Sequence, residues 1–290
     1  MSRIEIKTRQ QMRWMREAGL VVAAIHKALR EAARPGVTTA ELDAVSAATI
    51  RDAGATSNFY GYMGYPATVC IAVNDVVVHG IPGEQVLRPG DIVSFDCGAY
   101  IVRGGKQWHG DAAFTMVIGD ELSEIDCSPE TLQRRHELEA TTREAMWAAL
   151  ASLATARRIN AVGNAVEEVV ERKADAYGWE AGIVEEYTGH GIGTQMHQAP
   201  EVVNYRSRGF FPKVKPGMAL AIEPMLVTGS IDTIVDPDGW TVRTTDGGDA
   251  AQWEHSVAIL EDGISVLTAP DGGKEGLAPF GITPVNLDDE

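Results

Sequence analysis

The sequence predicts an α+β fold built from two similar halves, and two observations predict it. In each half, helical segments come first and strand-like segments follow. A matched segment also occurs once per half, with a Pro-Gly turn signal, an alternating strand-like run, and an acid six positions after the glycine. These segments are Pro89–Asp96 and Pro216–Glu223. The repeated order favours an internal duplication with pseudo-twofold symmetry.

The first half begins with two predicted helices. Residues 9–34 mix apolar and charged side chains until a Pro-Gly pair ends the stretch. The second helix ends near Ala53 and has Thr38 or Thr39 as its N-cap. Residues 54–66 are rich in Gly and Tyr, which is typical of a loop. The strand-like runs that follow are Ala67–Val73, Ile92–Tyr100 and Ala112–Ile118.

The second half repeats this order. A helix is predicted over Pro129–Ala154, with Ser128 as its cap, and another over Ala161–Tyr177. A glycine-rich loop that contains His190 and His197 comes next. The predicted strands that follow are Met218–Val227, Trp240–Thr245 and Gln252–Leu260.

Length and composition are those of a soluble globular protein. The chain has 290 residues, of which 44% are hydrophobic and 23% charged. No stretch approaches the roughly 20 apolar residues of a membrane span. Residues 1–20 lack the order of a signal peptide, in which a basic segment precedes an apolar one. We therefore expect one domain over 1–290, with a core at about 7–270. The polar, acidic tail over 271–290 is expected to be loosely ordered or to lie over the surface.

Charge and cysteine content narrow the class further. The net charge is −16, which argues against nonspecific nucleic-acid binding because that needs a basic footprint, and it leaves a local basic patch open. The three cysteines, Cys70, Cys97 and Cys127, form no Cys-x-x-Cys pair and cannot all be disulfide-bonded to one another. This favours a reducing environment, so we expect a cytoplasmic protein.

Four acidic residues are candidates for one chemical site. Asp96 and Glu223 end the two matched segments, and each half places a further acid at the start of its last strand. These further acids are Asp111 and Glu254. Four converging carboxylates would raise one another's pKa, and two divalent cations would balance their charge. Such a metal pair can acidify a water and polarise a carbonyl, which hydrolyses an amide without a Ser or Cys nucleophile.

A simpler interpretation competes at each position. A single acid on a strand is usually a surface or turn residue, and a histidine beside glycine is usually a loop residue. Acids at matching positions in both halves weaken that interpretation. Each half also supplies a His-Gly pair, at His79 and at His190. His109 and His255 adjoin acids, and the sequence leaves open whether they support those acids or only pack.

Longer segments resemble the type I methionine aminopeptidases. The resemblance extends in unbroken order from about Lys7 to Pro270. It implies the pita-bread fold, a twisted pseudo-twofold antiparallel sheet backed by two helix pairs. The segments that carry it are 64–82 (GYPATVCIAVNDVVVHGIP), 189–193 (GHGIG), 222–225 (IEPM), 238–241 (DGWT) and 251–256 (AQWEHS).

The resemblance implies a dinuclear metal site next to a pocket for a methionine side chain. It implies that His79 contacts the substrate and stabilises the reaction intermediate. It also implies that His197 hydrogen-bonds the scissile amide region. Glu223 would act as a proton shuttle for the hydroxide that bridges the metals. Asp111 and Glu254 would bridge the metals, with Asp96 as a bidentate ligand. The implied ligand set is Asp96, Asp111, His190, Glu223 and Glu254. The implied pocket residues are Tyr62, Tyr65, Cys70, Met196 and Trp240, together with His79 and His197.

Cofactors and partners also follow from the resemblance. It implies two divalent ions of Co, Mn, Fe or Zn, with room for an additional monovalent cation. The substrates would be nascent polypeptides that begin with methionine and have a small second residue. We expect a monomer that can contact the ribosome transiently. We expect neither membrane association nor specific binding of a nucleic acid.

The sequence departs from the family pattern at two places. The 14 residues between Asp96 and Asp111 are more than the family has, and they are expected to lengthen a hairpin turn near 103–106. The segment over 121–128 is also longer. The 25 residues between His197 and Glu223 leave no room for the insertion of type II enzymes. The catalytic pattern starts close to Met1, so we expect the compact bacterial form, without the zinc-binding N-terminal extension of longer type I enzymes.

Two alternatives remain at this point. An X-Pro aminopeptidase or prolidase shares the fold but usually carries a large N-terminal domain. A non-catalytic binding protein on the same fold would act on RNA, chromatin or ribosomes. Such proteins typically lose metal ligands, whereas all five are present here.

Overall fold

The long helices lie where the sequence predicts them. The computed structural model describes residues 3–122 and 124–287, so Asp288–Glu290, at the end of the tail, lie outside the described residues. Helix α1 packs beside α2 and against the sheet, and α3 packs beside α4. These helices are α1 (Arg9–Ala32), α2 (Thr39–Asp52), α3 (Pro129–Ser152) and α4 (Ala161–Tyr177).

Local sequence signals explain where the helices begin. Thr8 and Thr38 each form a capping box, in which the cap hydroxyl and a side chain three residues later exchange hydrogen bonds with the backbone. Ser128 caps α3 through the backbone N–H of Thr131. Of the two predicted caps of α2, Thr38 is the cap and Thr39 is the first helical residue. Each cap satisfies donors that the helix leaves unpaired.

The strands comprise one long pair, β4 and β5, and many short segments. The predicted strands of the first half are confirmed, and two of them are longer than predicted. The strands are β1 (Thr56–Ser57), β2 (Val69–Val73), β3 (Val76–Val78), β4 (Ile92–Arg103), β5 (Lys106–Val117), β6 (Gly182–Ile183), β7 (Gly189–Gly191), β8 (Gln198–Val202), β9 (Ala219–Ile222), β10 (Met225–Val227), β11 (Thr233–Val235), β12 (Val242–Thr244), β13 (Ala250–Gln252), β14 (His255–Leu260) and β15 (Gly263–Val266).

The strands form four sheets, and the paired strands are antiparallel. One sheet has the order β1-β4-β2 with β5 also paired to β4, and another has the order β15-β14-β9-β7-β8. The smaller sheets have the orders β13-β10-β6 and β11-β12-β3. This antiparallel architecture, with helix pairs packed on it, agrees with the predicted α+β pita-bread fold.

Two predicted strands of the second half are each interrupted at the candidate acid. The segment 218–227 divides into β9 and β10 at Glu223, because Pro224 has no N–H to donate to a ladder. The segment 252–260 divides at Glu254 into β13 and β14. Asp111 lies in the middle of β5 rather than at its start, so that detail of the prediction was wrong. The predicted glycine-rich loop also contains β7 and β8.

The added residues between Asp96 and Asp111 lengthen two strands rather than their turn. Strands β4 and β5 stay in register from Ile92 opposite Val117 to Arg103 opposite Lys106. The turn itself is only Gly104-Gly105, and both glycines have positive φ, as a two-residue hairpin turn requires. The longer hairpin leaves Gly98 opposite Asp111 in regular pairing.

The C-terminal tail lies over the surface, which is one of the two predicted outcomes. A short helix, α5 (Lys274–Leu277), buries Leu277, and Leu287 is buried near the start of α1. Arg9 and Arg13 donate hydrogen bonds to the carbonyls of Asn286 and Leu287. None of the described helices is long and apolar enough to cross a membrane.

A close approach of two glycines sets the distance between α1 and the sheet. A Cβ on Gly110, next to Asp111, would lie 2.8 Å from the backbone N of Gly19 in α1. A Cβ on Gly19 would lie 2.2 Å from the carbonyl oxygen of Leu267. These contacts involve backbone atoms, so a methyl group cannot be accommodated by a side-chain movement.

We expect Gly19→Ala to lower the free energy of unfolding by about 1–2 kcal/mol. Alanine favours the helix by up to about 1 kcal/mol, but overpacking against a fixed carbonyl costs about 1–3 kcal/mol. Urea denaturation measures the change. The half-exposed neighbour Leu20, changed to Ala, is the control and should cost less. A stabilised Gly19→Ala protein would contradict this packing.

Candidate active site

The two halves of the molecule meet where β5 lies beside the break between β13 and β14. The backbone N–H groups of Glu254 and Ala113 donate to each other's carbonyls, at 2.9 and 3.2 Å. Ser256 Oγ donates to the Asp111 carbonyl and accepts from the Asp111 N–H. These bonds fix Asp111 and Glu254, one from each half, next to each other.

Four carboxylates and one histidine converge at this seam. Ligand-type atoms of Asp96, Asp111 and Glu254 lie within 4.8 Å of one another, and so do those of His190, Glu223 and Glu254. The distance from His190 Nε2 to Glu223 Oε1 is 3.4 Å. A third such group joins Asp111 and His190 to His197. The structure therefore brings together all five residues of the implied ligand set.

Burial raises the pKa of every carboxyl in this group, and repulsion adds to the rise for three of them. Burial is the largest cause for Asp96, whose pKa rises to about 7, and the Gln252 side chain opposes the rise. Burial, then repulsion from neighbouring carboxylates, raises the pKa of Asp111, Glu223 and Glu254 well above the ordinary values. Divalent cations would balance the charge of such a group.

The donor set fits divalent metal ions. Asp96 Oδ1, Asp111 Oδ1 and Glu254 Oε1 are buried and have no hydrogen-bond partner among the described residues. Burial lowers the pKa of His190 to about 3, so its imidazole is neutral, which is the form that binds metal. Oxygen and nitrogen ligands without thiolate suit Mn, Fe, Co or Zn.

A cavity of about 330 Å³ opens directly onto the carboxylates. One wall is apolar and consists of Phe59, Tyr65, Cys70, Met196 and Trp240. The Tyr65 hydroxyl donates toward the carbonyls of Val69 and Gly80, and the rings of Tyr65 and Trp240 meet edge to face at 5.1 Å. These contacts hold the wall in a defined shape.

Two further histidines border the cavity. His79 has a φ of +59°, in the left-handed region that non-glycine residues rarely adopt, and its ring meets Tyr187 and Trp240 edge to face. Burial lowers the pKa of His79 to about 4, so it is neutral at pH 7. His197 lies at the exposed mouth, where its Nδ1 is 3.2 Å from the Tyr62 hydroxyl.

All twelve residues that the sequence analysis assigned to the site line this one cavity. His109 and His255, whose roles the sequence left open, each hydrogen-bond a polar side chain that does not line the cavity. His109 Nδ1 lies 2.8 Å from Asn58 Oδ1, and His255 Nδ1 lies 2.8 Å from Thr268 Oγ1. The sequence contains a signal for Gln252: it lies two residues before Glu254, and side chains two residues apart in an extended segment point to the same face. The lining residues that the sequence analysis missed are Phe59, Val78, Tyr187, Thr188, Met225 and Gln252.

Fold and site together define a metallohydrolase, and comparison with known proteins agrees. The model of metallopeptidase family M24 matches residues 13–261, and the chain belongs to this family. Methionine aminopeptidase 1 of Mycobacterium tuberculosis is 45% identical over 255 residues, which cover 88% of this chain and 91% of that protein. Within the family, the chain belongs to the type I methionine aminopeptidases.

Solved structures support the same assignment. The methionine aminopeptidase of Rickettsia prowazekii has a TM-score of 0.81 and 30% identity, with 92% of this chain and 100% of that chain covered. The prolidase of Pyrococcus furiosus has a TM-score of 0.66 and 19% identity, and only 65% of that chain is covered. The likeness to prolidase shows the shared fold alone.

We expect the metal-free protein to lose stability as the pH rises from about 6.5 to 8. Each carboxyl with a raised pKa keeps its proton in the folded state until the pH reaches that pKa, whereas the unfolded chain loses the same proton near pH 4. The free energy of unfolding therefore falls with rising pH until the folded-state pKa is reached. The fall is up to about 2 kcal/mol for each carboxyl that keeps its proton in the folded state across this interval, and less for Asp96, whose pKa is about 7. Buried histidines such as His190 act oppositely, but only below about pH 6.5.

Urea denaturation in the presence of a chelator measures this dependence. Added Mn²⁺ or Co²⁺ should restore stability at pH 8. The metal-free Asp111→Asn protein should show a weaker dependence because one buried charge is gone. Identical pH dependence of wild type and Asp111→Asn would contradict the account of repelling carboxyls.

Proposed function

We propose that the protein removes the N-terminal methionine from peptides and nascent proteins by hydrolysing the first peptide bond, with a preference for a small second residue. One observation carries the proposal: an apolar, aromatic pocket opens directly onto the buried group of four carboxylates and a histidine. The curated relatives are named methionine aminopeptidases, which supports the same activity.

The pocket suits a methionine side chain. Cys70 and Met196 contribute polarisable sulfur, and the rings of Phe59, Tyr65 and Trp240 contribute flat apolar surface. A long unbranched thioether fits such a wall by adjusting its torsions. The substrate's α-amino group and first carbonyl would then lie beside the carboxylates, since these line the same cavity.

In the proposed mechanism the five ligand residues hold the metal ions beside the peptide bond to be cleaved. Two divalent cations held by Asp96, Asp111, His190, Glu223 and Glu254 would supply an acidified water and Lewis-acid polarisation of the carbonyl. Glu223 then accepts the proton of the attacking water at its carboxylate and delivers it to the departing amine. Its raised pKa favours holding that proton.

His79 and His197 handle the reacting amide in this proposal. His79 is neutral at pH 7 and held rigidly by its flanking rings, so its N–H can donate to the oxygen that becomes negative. His197 reaches the scissile amide region from the mouth, with its ring oriented by the Tyr62 hydroxyl. Preorganised donors of this kind stabilise the transition state more than the substrate.

Further parts of the proposal concern the whole chain. Residues 1–290 act as one catalytic domain and as a monomer in the cytoplasm, on nascent polypeptides that a transient ribosome contact would present. The bound divalent ions are Co, Mn, Fe or Zn, with space for a monovalent ion. The free cysteines support a reducing compartment, and the charge of −16 disfavours specific nucleic-acid binding.

A peptide comparison tests the activity. Metal-free protein is resupplied with each divalent ion in turn and given Met-Ala-Ser or an Ala-Pro peptide. We expect metal-dependent release of methionine from Met-Ala-Ser and little cleavage of the Ala-Pro peptide, because the pocket is shaped for a long apolar side chain. Fast cleavage of the Ala-Pro peptide without methionine release would instead support an X-Pro hydrolase.

Two substitutions separate catalysis from metal binding. His79→Ala should lower kcat by about 100-fold or more, since one oxyanion donor is typically worth that factor, and it should leave metal content unchanged. Asp111→Asn should lose the metal pair, because it removes a charge from the centre of the group. Metal content is measured by elemental analysis beside the kinetics. A His79→Ala protein without metal would contradict the assigned roles.

A further inference from the structure

A short irregular loop carries two of the residues that border the cavity. The histidine loop, residues 191–198, follows His190 and leads into β8, and it presents Met196 and His197 to the cavity. Its interior residues, 192–197, lie outside helices and strands. A loop without a ladder needs other partners for its polar backbone groups, and those partners decide where its side chains lie.

Glu5, from the start of the chain, provides such partners. Its Oε2 accepts hydrogen bonds from the Thr194 backbone N at 3.1 Å and from Gln198 Nε2 at 2.8 Å. Its Oε1 accepts a third bond from Thr194 Oγ1 at 2.8 Å. One carboxylate therefore binds both the tip and the end of the histidine loop.

The segment that bears Glu5 is itself fixed. The Lys7 backbone N donates to the Gly217 carbonyl at 2.7 Å, in the turn before β9. The Lys7 side chain is buried, and its Nζ lies 3.6 Å from Glu5 Oε2. Burial would raise the pKa of Glu5, but the hydrogen bonds from Gln198 and Thr194 outweigh it and lower the pKa. Glu5 is thus a charged acceptor on an anchored segment of the chain. The charge strengthens the hydrogen bonds that it accepts.

Gly193 marks the point of contact between the loop and this segment. A Cβ there would lie 2.2 Å from Glu5 Oε2 and 2.4 Å from Lys7 Cε. The Gly193 carbonyl accepts a hydrogen bond from the backbone N of His109, which is two residues before Asp111 in β5. The histidine loop is therefore held between the N-terminal segment and the strand that carries a proposed metal ligand.

We propose that Glu5 is a positioning residue for the hydrolysis, which fixes the histidine loop so that His197 and Met196 meet the substrate correctly. The inference rests on the proposed function. Glu5 touches no reacting atom, and it acts through Thr194 and Gln198. A displacement of about 1 Å at a reacting group can cost on the order of 100-fold in rate. Loss of the anchor is therefore expected to slow turnover.

Two substitutions at the same position test the geometry. Glu5→Ala removes both acceptor oxygens, and with them all three hydrogen bonds, and should lower kcat for Met-Ala-Ser by about 10-fold. Glu5→Gln can keep all three bonds, because its Oε1 can replace the shared acceptor and its Nε2 can donate to the Thr194 hydroxyl. We expect Glu5→Gln to stay within about 3-fold of wild type. Equal losses in both variants would overturn the proposal.

Leu277→Ala controls for a general loss of stability. Leu277 is fully buried in α5 and does not line the cavity, so its truncation should lower the Tm without changing kcat at 20 °C. A kcat loss in Leu277→Ala that matches the one in Glu5→Ala, at equal loss of Tm, would reduce the effect of Glu5 to stability and overturn the proposal.

A double-mutant cycle with His197→Ala tests the route of the effect. If Glu5 acts through His197, Glu5→Ala should lower kcat by less than 2-fold once the histidine is absent. The same 10-fold loss in both backgrounds would show that the carboxylate does not act through His197 and would overturn the proposal.

Hydrogen exchange gives a readout that does not depend on activity. The backbone N–H of Thr194 should exchange faster in Glu5→Ala and at the wild-type rate in Glu5→Gln, because only the former lacks its acceptor. Unchanged protection in Glu5→Ala would overturn the inference even if methionine is released. Absence of methionine release by wild type, together with the expected exchange, would instead refute the proposed function and leave the anchoring intact.

Discussion

The burial of four carboxylates at one seam is the constraint on which the rest of this structure depends. Ionised carboxylates out of water are costly, and repulsion from their neighbours raises the pKa of Asp111, Glu223 and Glu254 further. The reciprocal backbone hydrogen bonds between Ala113 and Glu254 nevertheless hold the carboxylates of Asp111 and Glu254 next to each other. The fold thereby builds a site of high negative potential that divalent cations would relieve. Metal binding and the stability of the seam are consequently linked.

Strands and loops contribute differently around that seam. Regular strands carry Asp96, Asp111 and His190, so the positions of these residues follow from backbone register. Glu223 and Glu254 lie at strand breaks, where the chain can turn a carboxylate toward the centre. Loops supply His79, Met196 and His197, and each loop is held by specific contacts such as the ring contacts of His79. A rigid centre with separately anchored loops suits a hydrolase that must place both metals and substrate.

The fold by itself does not select the reaction. A prolidase shares this architecture at a TM-score of 0.66, whereas the methionine aminopeptidase of Rickettsia prowazekii reaches 0.81 with nearly complete mutual coverage. In the present site a wall of aromatic rings and sulfur lies beside the carboxylates, and the proposed specificity for methionine rests on it. A widely used fold hosts different activities through the side chains of its site.

The sequence by itself determined the helices, the duplicated order and the family, because caps, turn signals and motifs are local features. Thr38 and Ser128 begin their helices as predicted, and the matched acids Asp96 and Glu223 do lie in one cavity. Only the tertiary structure decided the strand breaks at Glu223 and Glu254, the place of Tyr187 in the cavity wall, and the bonds of Glu5 to a loop 189 residues away. Short strands and distant contacts carry no periodic signal, since each exists only because a partner elsewhere in the chain satisfies it.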